Sequence, residues 1–275
     1  MTPSALEPRA VVVDGHRLAY REAGAGPPVL LLHGIPTSSQ LWRDVIPTLA
    51  RTRRVVAPDL LNYGRSDKPA RADVSMRAQA RLMLGLMAAL GLRRVDLVAH
   101  DIGGGVAQLM AVRRPERIAR LALANTVCFD SWPIPEFQPL QAPGAEDGTS
   151  LDDFLAMLRG FLPNGVHRPE ALGEGAVEAM LAPWSDAAGK RALFRNFRRL
   201  NPEYTRAIAG ELETLPQPPL IPLGRHDPFQ KLVYGEKLAA TIPDARLEVI
   251  EDAAHWIMEE KPGEVADRLA AFLDA

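Results

Sequence analysis

The stretch Val95-Asp96-Leu97-Val98-Ala99-His100-Asp101-Ile102-Gly103-Gly104-Gly105 decides the fold. It reads as a buried strand that runs into a glycine-rich helix start with almost no turn residues between. Such a junction bends sharply. Small residues two positions on either side of the bend, here Ala99 and Gly103, are what the tight geometry leaves room for. This is the spacing of a nucleophile elbow, which pushes one side chain into a cavity at the helix N-terminus, beside free backbone N–H groups. That side chain is Asp101. The plainer alternative is that Asp101 only caps the helix, a position aspartate favours.

Outward from the elbow, short apolar runs alternate with helical patterns. Residues 11–13 and 18–20 read as a hairpin around Asp14-Gly15. Residues 29–32 form a continuous apolar run, the mark of a strand covered on both faces. Ser38 or Ser39 caps a predicted helix running to about Ala50, and strands follow at 54–57 and 121–124. Helices are predicted over 75–90 and 103–114. This alternation predicts an α/β fold: a mostly parallel central sheet with helices on both faces. From about Phe129 to Leu215 no strand pattern is found. Prolines, an acidic glycine-containing loop and helical stretches at 151–162 and 190–200 stand there instead. Alternation resumes at 219–223, with a helix near 235–241, a strand at 246–250 and a last helix over 262–273. The expected organisation is a core of residues 1–128 and 215–275, interrupted by a helical cap of residues 129–214 over the strand ends.

Composition narrows the class. The chain has 275 residues, 47% hydrophobic and 24% charged, with a net charge of −2. A chain of this length buries roughly 75% of its unfolded surface without covalent staples. One cysteine, Cys128, excludes an internal disulfide framework. Lysine and arginine are scattered, which argues against nucleic acid as the partner. No apolar run approaches the ~20 residues of a membrane span. Residues 1–8 show no signal-peptide pattern, so the expected location is cytoplasmic and the expected partner a small-molecule substrate, with no membrane and no nucleic acid. No cofactor is expected: a G-x-G-x-x-G string is missing, and the six histidines are dispersed without metal-ligand spacing. The oligomeric state is left open.

Two further features join Asp101. Residues 219–223 lead through Gly224-Arg225-His226 to Asp227, and residues 246–250 lead through Glu251-Asp252-Ala253-Ala254 to His255. Asp101, Asp227 and His255 thus each follow a predicted strand. Strand C-termini in a parallel sheet share one edge, so the three can converge. The order nucleophile, acid, histidine is that of an α/β-hydrolase triad. His33-Gly34-Ile35-Pro36 follows the strand at 29–32, so that the N–H groups of Ile35 and Ile102 are placed to form an oxyanion hole.

On these residues the chain resembles the α/β-hydrolase superfamily, and within it the aspartate-nucleophile branch of haloalkane dehalogenases and epoxide hydrolases. The stretches His33-Gly34-Ile35-Pro36-Thr37-Ser38-Ser39-Gln40-Leu41-Trp42, Ala57-Pro58-Asp59-Leu60-Leu61-Asn62-Tyr63-Gly64-Arg65-Ser66-Asp67-Lys68-Pro69 and Val98-Ala99-His100-Asp101 are similar to haloalkane dehalogenases. The resemblance implies Asp101 as nucleophile, Asp227 as acid, His255 as base and residues 129–215 as a helical cap. It also exposes departures. The tryptophan that follows the nucleophile in haloalkane dehalogenases is Ile102 here, and the asparagine of one subgroup's H-G-x-P loop is Ile35. A leaving halide would then need other donors, for which the cap offers Trp132 and Trp184. Epoxide hydrolases use a pair of cap tyrosines, of which the cap holds only Tyr204. Gly104, Gly105 and Gln108 stand where fluoroacetate dehalogenases place carboxylate-binding arginines.

The expected function is a hydrolase that works through a covalent alkyl-enzyme ester on Asp101, dehalogenase-like and acting on a small apolar substrate. An epoxide hydrolase is the alternative. Further readings are an ester or lactone hydrolase with Asp101 as base, or a non-catalytic binding module on the same fold.

Overall fold

A computed structural model describes residues 7–275; most of the N-terminal stretch read for a signal peptide lies outside the described residues. Eight strands form one sheet: β1 (Arg9–Val13), β2 (His16–Ala23), β3 (Pro28–Leu32), β4 (Arg54–Pro58), β5 (Val95–Asp101), β6 (Ile118–Thr126), β7 (Leu220–Gly224) and β8 (Arg246–Ile250). Their order is β1-β2-β4-β3-β5-β6-β7-β8. β1 and β2 pair antiparallel around Asp14 and Gly15, both at positive φ, as a two-residue hairpin turn requires. β2 is antiparallel to β4, and every pairing from β4 to β8 is parallel. This is the mostly parallel sheet that the alternation of elements predicts.

The apolar runs are central because they are covered on both faces. Val29, Leu30, Leu31 and Leu32 are fully buried, as is every residue of β5 to within a few per cent. Burying each such aliphatic side chain stabilises the fold by about 1.5–3 kcal/mol. The Ser75 hydroxyl caps the helix Met76–Ala89 by accepting the Ala78 N–H.

One predicted helix is broken. Ser38 does cap, but only the short 3-10 turn Ser39–Trp42, and a second short helix spans Ile46–Leu49. Pro47 explains the interruption: it brings no N–H and its ring excludes the preceding turn, so it sits in the first turn of a new helix.

Between Thr126 and Leu220 the described residues contain helices and no strand. The longest are Leu151–Phe161 and Ala187–Phe197, with Glu174–Leu181 between them. An aromatic cluster holds this segment together: Phe137 packs on Phe197 and Phe161 with centroids 4.8 and 5.1 Å apart, and Phe154 on Phe194 at 5.6 Å. It is tied down at fixed points. The Trp184 indole N–H donates to the Pro36 carbonyl at 2.8 Å, and the Asn62 amide donates to the Ala192 carbonyl at 2.7 Å. No helix among the described residues is long and apolar enough to cross a membrane.

Candidate active site

β5 passes into the helix Ile102–Arg113 with no residue between them. The bend falls on Asp101, at φ 52° and ψ −124°. A non-glycine residue in this region costs of order 1–3 kcal/mol, so the surroundings must impose it. They do so by close approach. A Cβ at Gly103 would run into the His33 carbonyl oxygen, and one at Gly34 would run into the Asp101 carboxylate. The helix start is thereby pressed against the end of β3.

Asp101 makes no side-chain cap hydrogen bond, so capping alone does not account for its position. Its Oδ1 accepts the Ile35 N–H at 2.9 Å instead, and the Ile102 N–H also stabilises the carboxylate. The Ile35 loop is itself fixed. The buried His33 ring accepts the Leu60 N–H at Nε2, 3.0 Å, and its Nδ1 lies 2.9 Å from the Gly34 carbonyl. Nδ1 therefore carries the proton and donates to that carbonyl. Asp59 accepts the Ser39 N–H at 2.7 Å and the Arg65 N–H at 2.8 Å, joining the loops after β3 and β4.

His255 lies 2.9 Å through Nδ1 from Asp227 Oδ2, and its Nε2 is 3.8 Å from Asp101 Oδ2. The chain thus brings together the three residues that sequence order suggested. Asp227 is held from several sides. Its Oδ1 accepts the N–H groups of Phe229 and Gln230 at 2.8 and 2.9 Å, and its Oδ2 accepts the Asn125 amide at 2.6 Å. Burial works against the Asp227 carboxylate, but His255 and these donors overcome it and hold its pKa below the ordinary aspartate value. Burial also disfavours a charged His255, yet the Asp227 carboxylate wins and the His255 pKa is raised. For Asp101 burial is the larger effect; His255 and the two N–H groups only partly offset it, and the pKa is raised.

Asn125 and His100 escape a reading from sequence. Asn125 sits at positive φ near the end of β6 and donates to both Asp227 and the Ala254 carbonyl, the latter at 3.1 Å. A polar residue at the end of a buried strand was the available signal. His100 donates through Nε2 to the His255 carbonyl at 3.0 Å, with ring centroids 4.5 Å apart. Burial drives its pKa well down, so it faces the His255 ring without charge.

Asp101 and His255 open into a narrow cleft whose walls are mostly apolar, Ile134, Phe137, Phe161 and Phe229 among them. The expected cap donors are arranged differently. Trp132 lines the cleft, but its indole N–H donates to Thr205 Oγ1 at 2.8 Å. Trp184 does not line it, and its N–H is committed to Pro36. Tyr204 is also outside the lining, with the Arg77 guanidinium 5.4 Å from its ring centre. The cleft contains two polar groups that sequence reading missed. Gln230 is buried, and its Oε1 accepts the Ser131 hydroxyl at 2.6 Å. Trp256 is fully buried, and its indole N–H has no partner among the described residues. No tyrosine is among the lining residues.

The family model described as alpha/beta hydrolase fold matches residues 27–262. A 2-hydroxymuconate semialdehyde hydrolase of Pseudomonas sp. strain CF600 is 30% identical, over 96% of this chain and 93% of its own length. A haloalkane dehalogenase of Mesorhizobium japonicum is also 30% identical, over 93% of this chain and 87% of its own. Among solved structures, an alpha/beta hydrolase fold protein from Burkholderia ambifaria superposes with a TM-score of 0.90 at 30% identity, over 97% of each chain.

Proposed function

Because this chain belongs to the alpha/beta hydrolase fold family and is a hydrolase, we propose that it works through Asp101 as a carboxylate nucleophile and displaces a halide from a small apolar substrate. One observation carries the reading. At the elbow, where this mechanism needs an exposed nucleophile, stands a carboxylate with one oxygen on a backbone N–H and the other facing His255 at 3.8 Å.

The chemistry follows from that placement. Asp101 Oδ2 attacks an sp3 carbon, an ester bond forms, and the carbon–halogen bond breaks with its electron pair leaving on the halide. His255, oriented by Asp227, takes a proton from a water molecule, and the resulting hydroxide adds to Asp101 Cγ. Charge then develops on Oδ1, where the Ile35 and Ile102 N–H groups stabilise it. Collapse releases an alcohol whose oxygen came from Asp101. The departing anion needs donors, and Ile102 and Ile35 offer no side-chain N–H. In this reading Trp256 and Gln230 serve instead. Ser131 occupies the Gln230 carbonyl, so the amide nitrogen is the part of that group left to donate. Residues 129–214 act as a cap that covers the cleft and sets its length, and no cofactor takes part.

Epoxide opening uses a pair of phenols to protonate the oxygen that departs, and here a single tyrosine, Tyr63, adjoins the cleft, in the hollow it shares with Ile102 and Trp132. An ester substrate would turn a carboxylate nucleophile into an anhydride, a less favourable intermediate than an alkyl ester. The halide reading is therefore preferred. Its test is His255→Ala incubated with short 1-bromoalkanes. Mass spectrometry should show the alkyl group retained on the peptide containing Asp101, because the base acts only in the second step. Undiminished turnover by that variant, with no adduct, would remove His255 and the covalent ester together.

A further inference from the structure

We propose that His167, His226 and Asp252 form a surface site for a transition-metal dication, zinc foremost, at the seam between the helical segment and the two loops that carry Asp227 and His255. The six histidines are dispersed in sequence, but folding brings two of them together. One ligand atom from each of the three residues lies within 4.8 Å of the others. The His167 and His226 rings are stacked, with centroids 4.0 Å apart and planes 15° from parallel.

The backbone around each candidate ligand is already fixed. The His167 N–H donates to Glu260 Oε1 at 2.8 Å, and Glu260 Oε2 accepts the Ala254 N–H at 2.6 Å. The same glutamate thus ties the His167 segment to the loop of Asp252. The His226 N–H donates to the Ala253 carbonyl at 3.0 Å, which ties the third segment to that loop. Only side-chain torsions are left to adjust, and all three side chains are exposed and free to do so. Stacked imidazoles hold their lone pairs parallel, so one ring must turn for both to converge. Tetrahedral zinc, with bonds of about 2.0–2.2 Å to nitrogen and oxygen, brings its ligand atoms to roughly 3.3 Å of one another. An inward shift of about 1.5 Å or less closes the site.

Two imidazoles and one carboxylate suit zinc, nickel or copper and do not suit magnesium or calcium, which take all-oxygen sets. The nearby Glu251 carboxylate is engaged by Arg225 and stays outside the set. A metal here would staple three chain segments. Gly165, two residues before His167, accepts the N–H groups of His255 and Trp256 at 2.9 and 3.0 Å, so the staple would stiffen the loop of the candidate base. The site stands on its own residues and does not depend on the halide reading.

The test uses tag-free protein and zinc chloride. Titration calorimetry should give one zinc per chain, and at a hundredfold excess over the dissociation constant the Tm should rise by about 4–5 °C. His167→Ala and Asp252→Asn, both exposed, should keep the metal-free Tm and lose most of the zinc-dependent rise, while His16→Ala should keep it. Absence of stoichiometric binding would overturn the proposal. So would a zinc-dependent rise that survives in the double variant His167→Ala/His226→Ala.

Discussion

The sheet edge that carries Asp101, Asp227 and His255 and the helical segment that covers it are built by different means. At the edge, backbone groups position nearly every reactive atom: the Ile35 N–H on Asp101, the Phe229 and Gln230 N–H groups on Asp227, and the Gly165 carbonyl on the His255 N–H. In the covering segment, apolar side chains pack on one another, and Phe161, half-buried, stacks on Phe229 at 5.1 Å with planes 18° apart. Backbone geometry tolerates little change, whereas an aromatic wall can be recut. On the proposed mechanism, reaction type would reside in the edge and substrate choice in the cover.

The largest effect should come from Asp101→Asn. Turnover should fall by at least about 10⁴-fold, as for loss of a nucleophile elsewhere. Stability should move the other way. The folded pKa of Asp101 is raised, so its favourable contribution is present below the unfolded pKa and lost as pH rises through the folded value. The variant should therefore melt above the parent at neutral pH, and the gap should close on acidification. A variant that melts lower at neutral pH would contradict the burial argument.

Asp227→Asn should cost about 10²–10⁴-fold in rate, since His255 loses its orienting carboxylate. It should also displace the pH profile. The base is active when neutral, so activity rises as pH passes the His255 pKa, which Asp227 raises. Removing that charge lowers the pKa and should shift the rising limb to lower pH. A limb that stays in place would show that another group titrates.

A smaller change is expected from the cover. Phe161→Ala enlarges the cleft without touching the triad. The preference among 1-bromoalkanes should move toward longer chains by about tenfold in kcat/KM, the scale of one or two methylenes in an apolar pocket. The combination with His255→Ala should still trap an adduct on Asp101. A loss of alkylation itself would mean that the cover takes part in the chemistry.

The same contrast governs what could be read from sequence. β5 and its elbow are legible because the constraint is local: a buried run, a bend, and Gly103 where a side chain would strike the His33 carbonyl. The order of Asp227 and His255 is legible because strand ends of a parallel sheet share an edge. The break at Pro47 is also local, and there the serine cap outweighed the proline in the reading of residues 38–50. The donors of the cleft are not legible. Whether a tryptophan N–H is available depends on distant partners: Pro36 for Trp184, Thr205 for Trp132, and none among the described residues for Trp256. Asn125, near the end of β6, reaches Asp227 in the loop after the neighbouring β7, a relation that no spacing encodes. His167, His226 and Asp252 meet for the same reason, through tertiary packing alone.

The central claim is that Asp101 attacks carbon and that water attacks Asp101. A single turnover in heavy-oxygen water, with enzyme in excess over a bromoalkane, separates this from every route in which water reaches the substrate directly. The account predicts alcohol without label and one heavy oxygen in the peptide that contains Asp101. Labelled alcohol with an unlabelled Asp101 peptide would contradict it and make Asp101 a general base.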